Sequence, residues 1–199
     1  MSRKVQQGKD RLLLVVMLIH LAVVLFWGIS TEHIHTLWWG LGATIAAFAA
    51  FSFRPGTLFS RSVIAIGLVV FSAVLIHQSN GLIEWHFHIF AVLILLSIYY
   101  DWRVIVIAAF AVAVHHLIGL FSTLYSVYAP NPDLGIYSLH ILFVALCASV
   151  LCYQCEVSVR NYKLINERNT QLKEAFDNIE NKRRFGQKVS HTIRGLQPS

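Results

Sequence analysis

Six apolar stretches, most of them near twenty residues long, constrain this chain more than any other feature: 12–29, 37–53, 62–78, 86–100, 103–124 and 137–157. About 20 helical residues cross the roughly 30 Å hydrocarbon core of a bilayer. A backbone in lipid must satisfy its own N–H and C=O groups, so only helices and closed barrels span it. These runs are continuously apolar rather than alternating, which predicts helices. The fourth is short, and its start near Leu82 reads as lying inside the membrane. Charged residues make up 13% of the chain, about half of what a soluble domain carries. The expected fold is all-α: a six-span transmembrane helix bundle over residues 1–157, then a C-terminal cytoplasmic signalling or coiled-coil helix over 158–199.

Lysine and arginine set the expected orientation. Arg3, Lys4, Lys9 and Arg11 precede the first run, Arg54 and Arg61 flank the second connection, and Arg103 follows the fourth run. The remaining basic residues begin at Arg160. The loops around Glu32, Ser79 and Asp133 contain none. Both termini are therefore expected in the cytoplasm of a multi-pass inner-membrane protein surrounded by lipid. The net charge of +6 follows from this bias and needs no nucleic-acid partner. The first run is long and lacks a small-residue cleavage site, so it reads as a retained span.

Histidines at membrane depth carry the functional signal. An ionisable or metal-binding group there is costly and marks a functional site by default. Seven qualify: His77, Glu84, His86, His88, His115, His116 and His140. Helix rise places them in one layer. Measured from the Asp101-Trp102 turn, His88 lies about 17–20 Å up the fourth span, and His115 and His116 lie about 18–20 Å up the antiparallel fifth. His86 is slightly higher; His77 and His140 lie about 24–25 Å up their own spans. His20, about 13 Å up the first span, is lower. On an ideal helix His86 and His88 are about 200° apart, and His115 and His116 about 100° apart. One of each pair can face a common site while the other faces a second one. His33 and His35, in an outer loop, read as interfacial hydrogen-bonding groups.

Six histidines and one glutamate exceed the needs of a single ion. Zinc takes four ligands, so the set suits two metals with Glu84 as ligand or orienter. It equally suits one bis-histidine haem b. The outer layer has no Cys or Met, and soft Cu(I) sites usually recruit sulfur. A nitrogen-and-oxygen site favours copper as Cu(II), with iron or zinc as the other choices. The small residues at Gly40–Ala50 and Ala108–Ala113 serve either a flat haem cavity or close helix packing. Cys152 and Cys155 form a C-x-x-C that reads as ordinary membrane-helix cysteines.

Composition changes at residue 158. Ile165, Leu172 and Ile179 recur every seven positions, with Phe176 between, a short heptad seam that predicts a homodimer. Val189, Ile193 and Leu196 resume an apolar stripe in a shifted phase. This helix reads as the start of a truncated output module, leading to a downstream cytoplasmic signalling domain.

The motifs Ile83-Glu84-Trp85-His86-Phe87-His88, Tyr100-Asp101-Trp102-Arg103 and Ala113-Val114-His115-His116, with His140 early in the last span, resemble the membrane sensor region of bacterial methyl-accepting chemotaxis proteins and related diguanylate cyclases and histidine kinases. Trp85 stands where that pattern has a smaller or more flexible residue. Gly186–Arg194 is similar, more distantly, to the entry of a chemoreceptor signalling helix. The resemblance implies an input module ahead of a cytoplasmic output. Together these readings give a non-enzymatic transmembrane sensor for chemotaxis-type signalling, using a histidine-rich metal centre. The alternatives are a haem b redox or gas sensor or electron-transfer protein, and a metal-dependent membrane oxidase.

Overall fold

The computed structural model describes residues 2–121 and 134–195, without side chains at 120, 121, 136 and 188–195. Six α-helices follow in order: α1 (Arg3–Ser30), α2 (Leu37–Phe53), α3 (Leu58–Gln78), α4 (Ile83–Leu96), α5 (Trp102–Phe121) and α6 (Leu134–Gly195). Short 3-10 turns, Ile34–Thr36 and Ser97–Tyr99, precede α2 and follow α4. No strand occurs among the described residues.

Local chemistry sets the helix ends. The Ser2 hydroxyl accepts from Val5 N–H and caps α1; the Thr57 hydroxyl accepts from Ser60 N–H and caps α3. Such oxygens satisfy amides that lack an intrahelical partner. The Asp101 carboxylate does the same for α5, accepting from Arg103 N–H at 3.2 Å. Gly56 breaks the chain between α2 and α3 at φ 70°. A Cβ there would stand 2.7 Å from the Arg3 carbonyl, so glycine is required twice over.

Among the described residues, five helices are long and apolar enough to cross a membrane; Ile83–Tyr99 is apolar but shorter. Large side chains such as Trp38, Phe53, Phe87 and Phe110 are exposed. An apolar exterior of that extent is compatible with a membrane protein.

Residues 1–156 form one compact unit. Its centre is α3, which packs against α1, α2, α4 and α5 and buries Ile64, Leu68, Phe71 and Leu75. The buried face of α2 is Gly40, Thr44, Ala47 and Ala50. This small-residue stripe lets two backbones approach closely. Within this unit α6 meets the other helices through side chains and buries Val144, Ala148, Leu151 and Cys155 in the core. Cys147, Cys152 and Cys155 are free thiols. Cys152 donates towards the Trp102 carbonyl at 3.7 Å and Cys155 towards that of Ser97 at 3.9 Å.

Residues 157–199 form the second unit, helical through Gly195. Ile165, Leu172, Phe176 and Ile179 are exposed there. The loop at Asp133, the side chains of Val189 and Ile193, and Leu196 lie outside the described residues.

Candidate functional site

Two polar systems sit in the 1–156 unit, and the first gathers most of the predicted histidines. His86 on α4 and His116 on α5 are buried. The ring of His140 on α6 is 5.6 Å from each, and those two rings are 6.3 Å apart, centroid to centroid. His115 lies 5.6 Å from His116. The three helices border a partly open cavity of about 280 Å³ lined by His86, His116 and His140, with Phe87, Phe90 and Phe143 among its apolar walls.

Hydrogen bonds fix the tautomers here. His86 Nδ1 is 3.0 Å from the Leu82 carbonyl, and His116 Nδ1 is 3.0 Å from the Val112 carbonyl. A carbonyl only accepts, so each Nδ1 carries the proton and each neutral ring keeps its lone pair on Nε2. Metal-binding histidines are oriented in this way, by a bond from the second ring nitrogen. Both bonds run to the residue four positions earlier, so the helix itself sets them.

His88 goes elsewhere. Its Nε2 is 2.9 Å from His20 Nε2, and its Nδ1 is 2.8 Å from the Ser72 hydroxyl. His20 Nδ1 in turn is 2.7 Å from the Val16 carbonyl. That carbonyl fixes the direction of the whole chain. His20 donates to Val16, His88 Nε2–H donates to His20, and the Ser72 hydroxyl donates to His88. Both nitrogens of His88 are thus engaged across α1, α3 and α4. His77 neighbours His33, with ring centroids 5.8 Å apart. Glu84 is exposed in the first turn of α4. The predicted layer therefore divides into three groups: His86/His116/His140 with His115, His20/His88, and His77/His33. As the rings stand, no set of three or more His, Cys, Asp or Glu side chains among the described residues is arranged to hold a metal ion.

The second system lies at the end where the α2–α3 and α4–α5 connections meet the N-terminus. Asp10 is fully buried. One carboxylate oxygen accepts from the Tyr99 hydroxyl at 2.9 Å; the other accepts from Gly56 N–H at 2.7 Å and the Ser60 hydroxyl at 3.1 Å. Beside it Arg61 donates to Asp101 at 2.8 Å, and Arg103 donates to both Asp101 oxygens at 2.9 and 3.0 Å. Burial pushes the Asp101 carboxyl up, but the Arg103 hydrogen bond and the Arg61 charge outweigh it and hold the carboxyl below the ordinary aspartate value. Sequence reasoning missed Asp10. Its signal was there: Asp10 is the lone acid in the basic segment 1–11, where positive flanking charge alone needs none.

No family model, curated protein or solved structure matches this chain.

Proposed function

We propose that this chain is the membrane input region of a signalling protein, in which a transition-metal ion held among α4, α5 and α6 biases the packing of α6. The observation that carries this reading is the trio His86, His116 and His140 around one small cavity, two of them locked with Nε2 as the electron-pair donor. Imidazole ligands suit copper, zinc and iron, and copper is favoured as Cu(II), which needs no sulfur and binds nitrogen ligands most tightly in the divalent series. The rings are neighbours but do not yet converge, so binding draws them together. An ion that prefers the drawn-in arrangement shifts the equilibrium towards it. The element it draws on is α6, which carries His140 and runs on through Gly195. The chain itself performs no catalysis in this reading; it passes occupancy to a cytoplasmic output through a dimeric helix seam at Ile165, Leu172 and Ile179.

Haem fits less well. His140 is equally 5.6 Å from His86 and His116, and so occupies the plane a macrocycle between them would fill.

The orientation proposed is both termini inside. Arg3 donates to the Pro55 carbonyl and Arg61 to Asp101, so the basic connections gather at one end, which positive-inside bias assigns to the cytoplasm.

The test is elemental analysis of protein purified in detergent without added metal, followed by titration of copper and zinc. His116→Gln and His140→Ala should each lower affinity by more than tenfold, equivalent to about 1.4 kcal/mol, with no Soret band in the visible spectrum. Full metal at unchanged affinity in both variants would overturn the reading.

A further inference from the structure

The end of the bundle opposite Arg61 and Asp101 carries a second concentration of imidazoles. His33 opens the 3-10 turn between α1 and α2, His35 lies within that turn, and His77 ends α3. Ring centroids are 5.9 Å apart for His33 and His35, and 5.8 Å for His33 and His77. His33 and His77, 44 positions apart in sequence, are thus brought side by side.

A rigid clamp holds them. The buried Gln78 amide donates to the Val24 carbonyl on α1 at 3.0 Å and to the Thr36 hydroxyl at 2.8 Å. Thr36 in turn donates its hydroxyl to the His33 carbonyl at 2.8 Å, and its backbone N–H to the same carbonyl at 3.0 Å. One side-chain amide therefore joins α1, the turn that bears His33 and His35, and the end of α3 that bears His77. Gly28 makes room for this: a Cβ there would stand 2.7 Å from the Gln78 amide nitrogen and 3.5 Å from the His33 carbonyl.

The Gln78 amide nitrogen and the Thr36 hydroxyl are bonded, whereas Gln78 Oε1 and His33 Nδ1 are buried with no hydrogen-bond partner. A buried polar atom left without a partner is costly, and such an atom often marks an ion or water site.

From this arrangement we propose that His33, His35 and His77 form a separate capture site for a divalent transition-metal ion of the zinc or copper type. Three imidazoles with a fourth position open to water are an open zinc coordination set. Calcium and magnesium need oxygen ligands and are excluded. His35 is exposed, so its ring turns inward without displacing packed atoms. The site is independent of the one among α4, α5 and α6, sharing no residue with it.

The experiment is zinc titration of the full chain in nanodiscs, read by equilibrium dialysis and metal analysis. Wild type should bind one ion that survives His116→Gln. His35→Ala should weaken that ion by tenfold or more, and His33→Ala/His35→Ala should abolish it while leaving the ion sensitive to His116→Gln in place. Zinc should also protect His35 from diethylpyrocarbonate in wild type but not in His33→Ala. Unchanged zinc stoichiometry and affinity in the double variant would overturn the proposal. Loss of an ion in the double variant, with none lost in His116→Gln, would sink the inter-helix centre and leave this one standing.

Discussion

Asp101 is the residue whose charge does most work at its end of the bundle. It caps α5, pairs with the buried Arg61 and takes a two-point contact from Arg103. Its folded-state affinity for protons is depressed by these partners. A depressed carboxyl contributes stability that is complete above its unfolded pKa and is lost as pH falls through the folded one. Thermal stability of the detergent-solubilised protein should therefore carry an Asp101 contribution that is constant from neutral pH down towards 3.8, the ordinary aspartate value, and fails below it. Asp101→Asn should be less stable at pH 7 and should lack that acid-sensitive component. An identical pH profile for the two proteins would count against the pairing. At this same scale the sequence was only half legible. The order of the histidines along each helix could be read because rise per residue is fixed. Facing could not, because the offset of about 200° between His86 and His88 leaves open which ring meets which neighbour. His88 pairs with His20, and that follows only once α1 lies against α3 and α4. Asp10 was hidden by Lys9 and Arg11 on either side, which made the segment look like a simple basic flank.

Among the elements, α2 has the plainest sequence logic. Its buried stripe of Gly40, Thr44, Ala47 and Ala50 follows helical spacing, and small side chains there set how near α3 can come. Ala47 is fully buried. Ala47→Leu should overpack that contact and cost about 1–3 kcal/mol, measured as a lower unfolding midpoint, whereas Ile45→Leu on the exposed face should change little. Equal behaviour of the two would mean that the stripe does not set the helix spacing. The same small residues were compatible with a haem cavity when read in one dimension. Only the identity of the facing helix separates the two uses, and sequence does not carry it. Helix boundaries were legible to within a few residues where Thr57, Gly56 and Asp101 mark them. The exception is the start of α1, which begins at Arg3 rather than near residue 12 because polar residues such as Gln6 and Asp10 are buried against the α2–α3 turn and Tyr99.

For the whole molecule, the all-helical character could be read directly from six apolar runs. The ends of the 1–156 unit differ in chemistry: one holds Arg61, Asp101, Asp10 and Tyr99, and the other holds Gln78, Thr36 and imidazoles. A reporter fused after Pro55 should lie in the cytoplasm and one after Ser79 outside. The reverse pattern would invert the orientation and place both histidine sites towards the cytoplasm.

The short fourth helix has a consequence for the surrounding lipid. At 1.5 Å per residue, Ile83–Tyr99 covers about 25 Å, less than the roughly 30 Å of an average hydrocarbon core. In the proposed membrane orientation a span that falls short would thin the bilayer locally or draw its flanking turn below the headgroups. For the turn that leads into His86, acyl-chain length would then become a variable in how readily water and ions reach the proposed metal site.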